Sequence, residues 1–89
     1  MTELSPRLAR LKFRAWHRGT READYMIGCF FDRFYPEWSD GDVQWFEDLL
    51  EEDDVDVMAW ALGTQIVPER FRGPLMERMK LLDYVEIPR

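Results

Sequence analysis

The residues best equipped for chemistry lie in one run of five, Arg18-Gly19-Thr20-Arg21-Glu22. Two guanidinium groups flank a glycine, and a carboxylate closes the run. Each guanidinium is a planar fork of donors suited to carboxylate or carbonyl oxygens. A glycine between them lets the backbone turn, or lets another molecule approach closely. These groups hold a partner's atoms in place more readily than they make or break bonds. From residue types alone two uses are open: the charges pair within the chain near a helix boundary, or they pair with groups on another protein.

The rest of the catalytic inventory is thin. His17 is the only histidine and Cys29 the only cysteine, and they fall on different expected helices. Cys29 sits inside Ile27-Gly28-Cys29-Phe30-Phe31, where a packed, inert thiol is expected. A zinc site needs about four N, S or O ligands at characteristic spacings, and the sequence offers none. Gly28 and Gly41 stand alone, so no glycine-rich phosphate loop is present. The carboxylates of Glu47-Asp48 and Glu51 to Asp56 are consecutive. They read as helix caps and solvated groups, because acid/base catalysis needs two environments that push a pair of pKa values apart. They also lack the alternating oxygen ligands and central glycine of a calcium loop. The residues therefore favour a binding protein over an enzyme.

Charge narrows the partner. The net charge is -6. Residues 1–35 carry seven arginines and lysines against four acids, whereas residues 36–67 carry ten acids and no basic residue. That acidic block argues against wrapping nucleic acid, since phosphate binding needs clustered cations. One cysteine rules out an intrachain disulfide. The basic N-terminal stretch lacks the apolar core of a secretory signal, and no stretch approaches the ~18 apolar residues that span a bilayer. Apolar residues make up 46% of the chain, including four Trp, six Phe and three Tyr. That aromatic load suits both a dense core and a partner surface.

The elements that position the run are helices. Ser5-Pro6 opens the first, a capping hydroxyl followed by proline at the first helical position. Leu4, Leu8, Leu11 and Ala15 form its stripe. Gly19 interrupts, and Thr20 caps a second helix with Glu22 in its first turn, where negative charge suits the helix dipole. Met26, Phe30 and Phe34 line that helix, with Ile27 and Phe31 beside them, until Pro36 stops it. Ser39 and Asp42 open a third, buried through Val43, Phe46, Leu49 and Leu50. Asp53 or Asp54 caps a fourth, lined by Val57, Met58, Ala61 and Leu62 and closed by Gly63. Pro68 opens a helical turn, and Leu75, Met76, Met79 and Leu82 mark a last helix. Val85-Glu86-Ile87 is the one weak strand candidate. The expectation is an all-α, compact five-helix bundle, with residues 1–89 forming a single domain.

At Arg18-Gly19-Thr20-Arg21-Glu22, with Asp24 after it, the sequence resembles the SdhE family, also called succinate dehydrogenase assembly factor 2. The family's hallmark is Arg-Gly-x-x-Glu between its first two helices, extended as Arg-Gly-x-Arg-Glu-x-Asp. Order and spacing agree further along. Phe30-Phe31 precedes a tyrosine-containing turn, and Leu49-Leu50-Glu51 leads to Asp53-Asp54-Val55-Asp56, then Trp60, Gly63 and Pro68. The resemblance spans roughly residues 8–82. Thr20 stands for the usual Met, Ala23 for Leu, Val55 for Pro and His17 for Arg, departures that touch packing and fine recognition.

The resemblance implies an assembly factor for the flavoprotein subunit of succinate dehydrogenase, with fumarate reductase as a second candidate client. In the family a histidine of that subunit attacks the flavin methyl carbon, and the factor holds the conformation in which they meet. This chain would then supply no catalytic residue, metal ligand or tightly bound cofactor, and would promote FAD attachment in its partner. Arg18, Gly19, Thr20, Arg21, Glu22 and Asp24 are the expected partner-binding residues, Gly19 for fit and the charged groups for pairing. Trp16, Tyr25 and Trp38 are secondary candidates shared with the core. The expected setting is cytoplasmic, the free protein monomeric, with no nucleic acid bound and no membrane insertion. Two other readings compete: a toxin-neutralising or regulatory module with a different partner, and a nucleic-acid binder using Arg7, Arg10, Lys12 and Arg14.

Overall fold

The structure, a computed structural model, describes residues 4–86. Five α-helices follow in order: α1 Pro6–Trp16, α2 Arg21–Phe34, α3 Asp40–Leu50, α4 Asp54–Leu62 and α5 Pro74–Leu81. Two 3₁₀ turns, Tyr35–Glu37 and Glu69–Phe71, bridge α2 to α3 and α4 to α5. The all-α expectation holds, and the described residues contain no strand. Val85 and Glu86 are irregular, while Ile87 lies outside the described residues. No described helix is long and apolar enough to cross a membrane.

Local chemistry sets the helix ends. Ser5 Oγ accepts from the Leu8 amide, and Thr20 Oγ1 accepts from the Ala23 amide. Ser39 and Asp42 form a reciprocal capping box. Gly63 closes α4 in the left-handed region. Three details differ from expectation. Pro36 does not end α2 directly; the α-helix stops at Phe34 and a 3₁₀ turn runs through the proline. Leu82 is no longer helical but closes α5 with φ +58°. Leu62 points outward, 56% exposed, because Val57, Trp60 and Ala61 share the inward face of α4, with Trp60 taking the core position.

The core is organised around α2, whose Ala23, Met26, Ile27, Gly28, Cys29, Phe30 and Phe31 are all buried. Phe30 meets Phe46 and Tyr84 at ring separations of 6.1 and 5.2 Å, and Trp60 meets Phe71 at 5.4 Å. Tyr84 also donates its hydroxyl to the Met79 carbonyl at 2.8 Å. Burial pushes that hydroxyl's pKa well above the usual phenol range. Cys29 is packed, with its thiol 3.9 Å from the Glu86 carbonyl.

Helices α1 and α2 close against each other at Gly28. A methyl group built there would stand 2.3 Å from Cδ2 of the Trp16 indole, so the missing side chain is the seat of that ring. Gly28→Ala should therefore destabilise by about 1–3 kcal/mol through forced displacement of the indole. At an open helical site the same change would stabilise by up to about 1 kcal/mol. A thermal melt followed by CD reads the sign.

The two charge blocks of the sequence face each other. Arg7 makes a two-bond contact with Glu47, at 2.8 and 2.9 Å, and Arg14 reaches Glu51 at 2.9 Å. The Arg7 hydrogen bonds hold the Glu47 carboxyl below its ordinary pKa. Lys12 pairs with Asp32 on α2 at 3.3 Å. Among the described residues Arg10 is the α1 cation without a carboxylate partner. The basic face that a nucleic-acid binder would use is thus largely matched by carboxylates of its own chain.

Candidate partner-binding site

The turn between α1 and α2 is built from both sides. Inside the turn, the Arg18 amide donates to Asp24 Oδ1, tying the start of the turn to the first turn of α2. Thr20 contributes the cap already described. Gly19 sits between them at φ +114°, a conformation that side-chain-bearing residues rarely adopt. No atom lies within 4 Å of where its Cβ would be. Here glycine answers a backbone requirement and leaves bare backbone facing outward.

Arg18 does not project toward solvent. Its side chain is only 11% exposed and crosses to the connection between α3 and α4. Nε donates to Asp54 Oδ1 at 2.7 Å, while Nη2 donates to the Leu50 carbonyl at 2.9 Å and the Glu52 carbonyl at 3.4 Å. The Leu50 carbonyl belongs to the last residue of α3 and has no helical successor to bond, so a guanidinium is a favourable partner there. One arginine thereby joins two loops that are 36 residues apart in sequence.

The six residues named from the sequence separate into two sets. Arg18, Thr20 and Asp24 direct their polar groups into the chain and shape the turn. Gly19, Arg21 and Glu22 are exposed. Neither Arg21 nor Glu22 forms an ion pair among the described residues; the Arg21 guanidinium lies 5.7 Å from the Tyr25 ring centre, over its face. The intrachain pairing that Glu22 could have made with Arg18 is absent, because Arg18 is committed to Asp54. Trp16 and Tyr25 pack edge to face at 5.6 Å and are half-buried. Trp38 is likewise half-buried and packs against the core beside Phe46, at 5.0 Å, and its buried indole N–H has no partner among the described residues.

One feature near the turn was not singled out from the sequence. Phe13, one helical turn before His17, is 63% exposed and stacks on the His17 ring at 4.0 Å. His17 Nδ1 lies 2.7 Å from the Phe13 carbonyl, which fixes the imidazole as donor there and holds the stack in place. The signal was present: Phe13 lies off the Leu4-Leu8-Leu11-Ala15 stripe and must face away from the core. Among the described residues no group of three or more His, Cys, Asp or Glu is placed to hold a metal ion.

Comparison with known proteins gives one consistent result. A family model described as "flavinator of succinate dehydrogenase" matches residues 9–83. The chain is 37% identical over 76 residues to "FAD assembly factor SdhE" of Acetobacter pasteurianus, covering 85% of this chain and 70% of that protein. It is 32% identical over 73 residues to "succinate dehydrogenase assembly factor 2, mitochondrial" of Cryptococcus neoformans, covering 81% of this chain but only 42% of the fungal protein. To the Aliivibrio fischeri "FAD assembly factor SdhE" it is 42% identical over 55 residues, 62% of this chain and 63% of that one. No solved structure matches the chain.

Proposed function

This chain belongs to the flavinator of succinate dehydrogenase family, and we propose that it is an assembly factor which binds the flavoprotein subunit of that enzyme and promotes covalent attachment of FAD. The observation that carries the reading is the division of the turn. Arg18, Thr20 and Asp24 are occupied in building it, which leaves Gly19, Arg21 and Glu22 outward, with the two charged groups outside any ion pair among the described residues. A rigid turn bearing bare backbone, one cation and one anion suits recognition of paired groups on a protein surface. Its contribution to flavin attachment is positioning: it favours the partner conformation in which the reacting groups meet, and the bond forms in the partner.

In this reading FAD is held by the flavoprotein and not by this chain. The factor acts in the cytoplasm as a monomer, and fumarate reductase, if it presents the same surface, is a second client. Co-expressing the flavoprotein with and without this chain tests the function. Fluorescent flavin should stay with the denatured flavoprotein band only when the chain is present. Equal fluorescence in its absence would contradict the reading.

The Phe13–His17 stack extends the surface along α1, and an exposed aromatic held in one orientation is a common anchor of protein interfaces. Phe13→Ala should change stability by no more than about 0.5 kcal/mol, since the ring is exposed. It should weaken flavoprotein binding by roughly tenfold or more, as read by titration of purified components. Unchanged affinity would confine the interface to the turn itself.

A further inference from the structure

The partner-binding turn has few holds of its own, and the strongest one comes from far away in the sequence. Asp24 and Thr20 fix it locally through single bonds to backbone amides. The only side chain that ties it to the α3–α4 connection among the described residues is Arg18, and the carboxylate that receives Arg18 is Asp54. Asp54 is the first residue of α4 and is itself only 23% exposed. Its negative charge is at home there for a second reason, since it stands at the positive end of the helix dipole. Asp53, its neighbour and the N-cap residue of α4, is exposed, and its side chain makes neither a bond to Arg18 nor a capping bond.

We propose that Asp54 is a positioning residue for partner recognition: its carboxylate and the carbonyls at the end of α3 seat the Arg18 guanidinium, and so hold Gly19, Arg21 and Glu22 in the orientation that the flavoprotein meets. The inference rests on the reading of the turn as the partner surface. Its physical content is pre-organisation. A turn fixed before binding loses less conformational freedom on binding, whereas a loosened turn must be ordered at the partner's surface. Asp54 touches no partner group in this scheme and acts wholly through Arg18.

The test compares Asp54→Ala, Asp54→Asn and Asp53→Ala for affinity toward purified flavoprotein, alongside thermal melts and the NMR signal of the Arg18 Nε proton. Asp54→Ala should weaken binding about tenfold and move the Arg18 Nε proton toward the free, rapidly exchanging position. Asp54→Asn keeps an acceptor oxygen for Nε and should lie between it and the unsubstituted protein. Asp53→Ala removes the same charge one residue away and should leave both readouts in place. In an Arg18→Ala background, Asp54→Ala should weaken binding no further.

If Asp54→Ala melts below the assay temperature, Asp54→Asn and the cooled double-variant comparison carry the same test. Equal losses for Asp53→Ala and Asp54→Ala would show a simple charge effect on the partner and overturn the proposal. So would full affinity in Asp54→Ala with a displaced Arg18 signal. Failure of the unsubstituted protein to bind flavoprotein would strike the functional reading itself, a result separable from either.

Discussion

Gly19→Arg is expected to leave no detectable covalent flavin on co-expressed flavoprotein while most of the helical CD signal persists. Gly19 holds φ +114°, so any side chain there strains the backbone, at about 1–3 kcal/mol. That is a fraction of the roughly 5–13 kcal/mol expected for a domain of this size. Nothing in the chain lies within 4 Å of the new Cβ, so no steric clash adds to the strain. The added side chain would instead stand on the exposed face proposed above to meet the flavoprotein. Gly19→Ala carries the same backbone strain with little bulk, and separates two causes. If alanine loses function as completely as arginine, the turn's conformation is what the partner requires. If alanine retains most of it, close approach of the backbone is the reason for glycine.

Arg18→Ala is expected to lose function by a different route, through stability. Removing the guanidinium leaves Asp54 unpaired and the Leu50 and Glu52 carbonyls without their donor, at 11% and 23% exposure for the two charged side chains. Breaking a charge pair so little exposed to water should destabilise by about 3 kcal/mol. For a domain this small that lowers Tm by roughly 10–20 °C. Arg18→Lys should recover less than half, because an ammonium cannot reproduce the fork that bonds Asp54 and Leu50 together. Arg21→Ala, three residues on, should shift Tm by no more than a couple of degrees. Two arginines of one motif would then separate in a melt, one as a clamp and one as a free surface group.

Much of the fold was legible because it is written locally. Ser5, Thr20 and the Ser39–Asp42 pair are capping signals whose partners lie three residues away, so sequence alone places them. The turn at Gly19 was legible for the same reason, as was the burial of Cys29 among apolar neighbours. What escaped depends on contacts between distant segments. The acidic run from Glu51 to Asp54 read as caps and solvated charge, and nothing nearby shows that Asp54 receives Arg18. Which arginine of the motif turns inward is likewise decided by the placement of α3 and α4. Nothing local to Gly28 shows that the Trp16 ring packs against it. Leu62 read as a core residue from its apolar type, whereas the pitch of α4 gives the inward place to Trp60. The opposing charge blocks were visible as composition, but their pairing across α1 and α3 needed the fold.

The outward half of the turn is proposed as the partner surface and the inward half as its scaffold. The most direct measurement is in-gel flavin fluorescence of the flavoprotein co-expressed with the doubly substituted chain, Arg21→Ala with Glu22→Ala, set beside the thermal melt of that variant. Covalent flavin should fall to the level seen without the factor, while Tm stays within a few degrees of the unsubstituted protein. Full flavin attachment by this variant would show that the partner does not read these side chains, and would contradict the assignment of the surface.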